Sequence, residues 1–219
     1  MKKLIKGILD FQAHQQQQYV EKYAKLALGQ KPDALLVACS DSRVVPNIFA
    51  STDPGDMFVV RNVGNLIPPC SNHEPHKCTG SESAAIDFSL LALDVKDIIV
   101  CGHSECGAMQ ALLKGTEDLT SHLKDWLKNG QEATKKHPFE PNEDLSLHNQ
   151  LSQFNVLQQI NHLKSYPEIQ TRINNGKLRL HAWWFDIATA NVFAYSQEDN
   201  DFLLLNESFA EKLLNQMKE

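Results

Sequence analysis

With 219 residues, 42% of them hydrophobic, and a formal net charge of -6, the chain can build one full core, and its acidity and scattered lysines exclude a nucleic-acid or anionic-membrane surface. No apolar stretch nears the ~20 residues of a membrane span, and Lys6 and Asp10 interrupt what would be the apolar run of a secretory signal. The cysteines number five, an odd count, so a disulfide framework is not expected and a reducing cytoplasm is the expected compartment.

From 5 to 28, apolar residues including Ile8, Phe11, Tyr19, Tyr23 and Leu26 recur at helical spacing, and Gly29 with Pro32 stops the pattern. This predicts a long amphipathic arm over residues 1–30, packed on a partner subunit or on its own domain. Apolar runs then predict strands at 34–38, 57–61, 98–102 and 178–185, with a shorter fifth at 191–195. Helical patterns fall at 81–93, 107–114, 120–136, 145–166 and 207–218. Alternation of apolar strands with helices predicts an α/β fold: a mainly parallel central sheet of four strands with helices on both faces. The link 186–190 is too short for a crossover, so the fifth strand is expected as an antiparallel edge strand. No repeat or linker divides residues 1–219, which are read as a single domain.

Ligands in such sheets sit beyond the carboxyl ends of the strands, near a switch in strand order. Two predicted strands end there on donor-rich runs: Cys39-Ser40-Asp41-Ser42-Arg43 and His103-Ser104-Glu105-Cys106. Two thiolates and an imidazole from neighbouring strand ends suit zinc, and three protein ligands leave a fourth coordination position open. The plainer alternatives are that the cysteines are small buried hydrophobes and that Asp41-Ser42-Arg43 is a capped turn with a surface ion pair. A second cluster, Cys70, His73, His76 and Cys78, could hold an accessory metal. Its spacing matches no common structural zinc pattern, and a solvated loop is the expectation. Cys101 is read as buried and inert. His122, His137, His148 and His162 fall on polar helical stretches and are assigned no role.

The ordered set Gly29-Gln30, Cys39-Ser40-Asp41-Ser42-Arg43-Val44, Phe58 to Asn65, Gly80 to Ile86 and Gly102 to Ala108 resembles the β-class carbonic anhydrases, plant-like branch, over roughly 20–115 and more weakly through His181-Ala182-Trp183. The resemblance implies one zinc per chain on Cys39, His103 and Cys106, with Asp41 and Arg43 as the catalytic dyad beside it. Asp41 would take the fourth zinc position only in a closed state. Gln30, Phe58, Val63, Phe88 and Gly107 match substrate positions: Gln30 reaching bicarbonate from a dimer partner, the apolar three lining a CO2 pocket, and Gly107 offering its N–H. The implied activity is reversible hydration of CO2 to bicarbonate and a proton by attack of zinc-bound hydroxide, in a homodimer, a dimer-based tetramer or a larger assembly. Hydrolysis of carbonyl sulfide or carbon disulfide on the same fold is the alternative enzyme, and a non-catalytic zinc-binding scaffold the alternative class. Where the branch with an allosteric bicarbonate site carries Trp, Gly and Tyr, this chain has Leu36, Ala38 and Phe185. No such regulatory site is expected, and the zinc is expected to be open at neutral pH.

Overall fold

A computed structural model describes residues 1–70, 80–135 and 145–217. Its centre is a six-stranded sheet in the order β2-β1-β3-β4-β5-β6. The strands are β1 (Ala34–Cys39), β2 (Met57–Asn62), β3 (Asp97–His103), β4 (Arg179–Asp186), β5 (Asn191–Ser196) and β6 (Asp201–Leu204). β1 pairs in parallel with both β2 and β3, and β3 with β4, whereas β5 and β6 run antiparallel. The chain leaves β1 for β2 on one side and returns across it to β3 on the other. The crevice at that reversal lies at the carboxyl ends of β1 and β3.

β1 and β3 are apolar because both their faces are covered. On one face, Leu35, Val37, Ile98, Val100 and Trp184 pack with Ile86 and Leu90 of α4 (Ser81–Leu91) and Val156 of α7 (Leu147–Leu163). On the other, Leu36, Ala38, Ile99, Cys101 and Phe185 form a second cluster. Phe49 of the short α3 (Pro46–Phe49) stacks there on Phe185, with ring centroids 4.7 Å apart. Each fully buried aliphatic side chain of this core contributes about 1.5–3 kcal/mol. Beyond the carboxyl ends, Cys39, Leu66, Cys106, Met109, Leu127 and Leu151 make a third cluster under α5 (Gly107–Lys114), α6 (Ser121–Leu127) and the 3-10 turn Lys128–Thr134. α7 lies directly on β3. A Cβ at Gly102 would stand 2.6 Å from Val156 Cγ2 and 3.2 Å from the Ser152 carbonyl, so only glycine permits that approach.

The structure corrects several expected boundaries. β5 is not the edge, because β6 pairs along its far side. Four residues without a β-branched side chain give little strand signal, and the edge escaped notice. The arm is two helices, α1 (Lys2–His14) and α2 (Gln16–Leu26), broken at Gln15. Phe11 and Tyr19 would be ~12 Å apart along a straight helix, yet their rings lie 5.9 Å apart across the break. No residue of either helix is buried. The pattern read over 120–136 is α6 followed by the 3-10 turn, and 145–166 shortens to α7. Pro167 opens a further helix, α8 (Pro167–Asn174), in a stretch to which the sequence reading assigned no element. α9 (Glu207–Gln216) closes the chain, capped by Asn206. Among the described residues, no helix is long and apolar enough to cross a membrane.

Candidate metal centre

Cys39 ends β1, His103 ends β3, and Cys106 caps the N-terminus of α5. The parallel register sets Ala38 beside Cys101, so the two strands deliver Cys39 and His103 to the same level. One ligand atom from each of Cys39, His103 and Cys106 lies within 4.8 Å of the others, and all three residues are buried. His103 Nδ1 donates to the Ser104 carbonyl at 2.7 Å. Its buried Nε2 has no hydrogen-bond partner among the described residues. A nitrogen so placed beside two cysteine sulfurs, with its tautomer set by the other ring atom, is suited to hold a metal. The Cys39 thiol is pulled down to about 4, chiefly by the hydrogen bond from Cys106, with burial opposing and the His103 ring and Gly64 N–H assisting. The Cys106 thiol is pushed up by that same bond and by burial. A dication bound between the two sulfurs would favour both as thiolates. Two sulfurs and one nitrogen, with no fourth donor in the group among the described residues, fit a zinc site with an exchangeable position.

Beside this group, Arg43 grips Asp41 with both arms of its fork: Nε donates to Oδ1 at 2.9 Å and Nη2 to Oδ2 at 2.7 Å. The Arg43 N–H adds a third bond to Oδ1 at 3.0 Å. These donors, the guanidinium above all, hold the Asp41 carboxyl well below the usual carboxylate range. Both oxygens of Asp41 are turned to Arg43.

Arg61 was not singled out from the sequence. It donates to the Cys39 carbonyl at 3.0 and 2.8 Å and to the Asp41 carbonyl at 2.7 Å, so it ties the ligand loop to the end of β2. Its signal is register: Ala38 pairs with Arg61, and one strand cannot reveal that. Gly64 donates its N–H to Cys39 Sγ at 3.4 Å. Its φ is 82°, and a Cβ there would meet the Ala108 methyl at 2.9 Å, so glycine is required on both counts.

Of the expected substrate residues, two lie close to the centre. Gly107 begins α5 directly after Cys106, and a Cβ there would meet nothing within 4 Å. Relief of crowding is therefore not its purpose. Val63, next to Gly64, has its carbonyl held by Trp126 Nε1 at 2.7 Å. The others are not brought there by one chain. Phe58 lies four residues before Asn62, the register partner of Cys39, and so ~13 Å down the strand. Its ring meets Phe88 at 5.8 Å, and Phe88 is 47% exposed. Gln30 is exposed in the loop after α2. Cys70 is disulfide-bonded, contrary to the expectation of no disulfide, and His73, His76 and Cys78 lie outside the described residues. Cys101 is buried, and burial pushes its thiol up to about 12, so it is inert as expected.

The largest omission from the sequence reading is the role of the polar side chains of α7, a helix expected at 145–166. Ser152, Asn155, Gln159 and His162 form a polar stripe at helical spacing, buried rather than solvated. Ser152 Oγ donates to the His103 carbonyl at 2.7 Å and Asn155 Nδ2 to the Gly64 carbonyl at 3.1 Å. Gln159 Oε1 accepts from Ile67 N–H at 2.8 Å, and His162 Nδ1 donates to the Ile67 carbonyl at 2.7 Å. One helix thus holds the backbone of both loops that frame the ligands.

Comparison with known proteins agrees with this geometry. A family described as Carbonic anhydrase matches residues 34–192. A carbonic anhydrase of Synechocystis sp. is 37% identical over 208 residues, covering 93% of this chain and 74% of the relative. The solved structure of the β-carbonic anhydrase CcaA superposes with a TM-score of 0.84 at 36% identity, over 94% of this chain and 92% of that one. A tetrameric β-carbonic anhydrase of Sordaria macrospora superposes with a TM-score of 0.74 at 26% identity, over 88% of this chain and 95% of that one.

Proposed function

The chain belongs to the β-class carbonic anhydrases, and on that premise we propose that it performs the reversible hydration of CO2 to bicarbonate at one zinc held by Cys39, His103 and Cys106. The observation that carries this is the convergence of the three ligand atoms, His103 Nε2 among them without another partner, beside an arginine-held carboxylate. When bound, zinc supplies a Lewis acid that lowers the pKa of water toward ~7, a shift for which carbonic anhydrase is itself the reference case. The chain's own residues do the rest. Asp41, ionised and held by Arg43, accepts a hydrogen bond from the attacking oxygen and so aims its lone pair at carbon. The Gly107 N–H, at the first turn of α5, faces the negative charge that develops on the product.

Phe58, Phe88 and Gln30 complete the site only if a second copy presents them, and we propose a homodimer, or a larger assembly of dimers, as the working unit. The exposed apolar side chains of α1, among them Leu4, Ile5 and Ile8, supply a surface for that contact. The cytoplasm is its proposed compartment on the strength of the free thiols of Cys39, Cys101 and Cys106, with the disulfide at Cys70 the observation against it. The test is Cys106→Ser in the zinc-loaded protein. Bound zinc, measured per chain, and CO2 hydration should fall together while the circular dichroism of the fold is kept. Hydration that survives loss of the metal would refute this assignment.

A further inference from the structure

Glu105 lies between two of the ligands in sequence, yet its conformation is held from α7. Its φ of 56° is in the left-handed region, which residues with a Cβ seldom adopt without outside support. The support comes from the first turn of the helix. The Glu105 N–H donates to Asn149 Oδ1 at 2.7 Å, and Asn149 Nδ2 donates back to Glu105 Oε1 at 3.1 Å. His148 Nε2 meets the same carboxylate oxygen at 2.9 Å. In this pose the Glu105 carbonyl accepts from Arg43 Nη2 at 3.1 Å. That nitrogen is the one that also holds Asp41 Oδ2.

We propose that Asn149 is a positioning residue for the Asp41–Arg43 pair: it locks Glu105 in its left-handed turn and thereby fixes the carbonyl that gives Arg43 its second anchor. The Arg43 side chain is 48% exposed, so few packing contacts hold it. A guanidinium bonded only to its own carboxylate can swing with it, whereas one also bonded to a fixed carbonyl of another segment is held in place. Asn149 is suited to the task because, among the described residues, it alone bonds both the backbone and the side chain of Glu105. The inference rests on the reading of Asp41 and Arg43 as the catalytic dyad.

The experiment compares zinc-loaded wild type, Asn149→Ala, Asp41→Ala and the double variant, with zinc per chain, kcat and KM for CO2 hydration measured on each. Asn149→Ala should keep its zinc and lose kcat by roughly 10-fold, as removal of a residue supporting a metal site does, with KM little changed. In the Asp41→Ala background it should cost nothing further, because the pair it positions is already broken. Asn149→Asp, which sets a carboxylate against Glu105, should be impaired like Asn149→Ala. Adding Glu105→Gln should regain turnover, since the new amide donates where Asn149 did. Wild-type turnover in Asn149→Ala, loss of its zinc, or a full further 10-fold loss on top of Asp41→Ala would each overturn the proposal. Full turnover in Asp41→Ala would instead sink the dyad reading on which it stands.

Discussion

Asp41 and Asp97 are both held ionised by arginine, at opposite ends of the same sheet. Asp97, at the start of β3, accepts from Arg179 Nε and Nη2 at 2.7 and 2.8 Å and from His181 Nε2 at 2.7 Å. Burial raises its carboxyl, but the donors of Arg179 and His181 outweigh that and hold it well below its ordinary range. A depressed carboxyl contributes stability that is present above its unfolded value of ~3.9 and is lost as pH falls below it. Asp97→Asn should therefore cost ~1–3 kcal/mol near neutrality, and urea unfolding should show the gap from wild type narrowing below about pH 4. A gap that widened on acidification would contradict the pairing. At this scale the ligands were legible because each run carries its donors next to a strand end. Arg61 was not, since its role depends on which residue of another strand lies beside it.

Among the elements, α7 does the most to shape the site; the helix was legible at 145–166, but its task was not. Residues 152, 155, 159 and 162 read as an ordinary polar stripe, and periodicity cannot tell a stripe facing water from one facing loop backbone. The core strands were legible for the opposite reason: an unbroken apolar run has few places to go but a covered sheet. β6 and α8 were missed because a four-residue strand and an eight-residue helix give little pattern to read. Gln159 offers the sharpest test of the stripe. Gln159→Leu would leave the buried Ile67 N–H without its acceptor, at a cost of about 1–3 kcal/mol. Chemical denaturation should show that loss, and an unchanged midpoint would mean that Gln159 does not hold the loop.

Across the whole molecule, one chain carries the metal ligands and the dyad but leaves Phe88, Gln30 and the α1 surface facing outward. Leu4→Glu with Ile8→Glu should reduce the particle mass measured by light scattering and lower hydration with it, because charges placed in an apolar contact are not compensated. An unchanged mass would move the contact elsewhere. The most direct measurement is stopped-flow CO2 hydration across pH 7 to 9, with zinc content determined on the same sample. About one zinc per chain, as three ligands predict, with rapid hydration in proportion to bound metal is the expected result. Zinc bound at that ratio without hydration anywhere in the range would contradict the account.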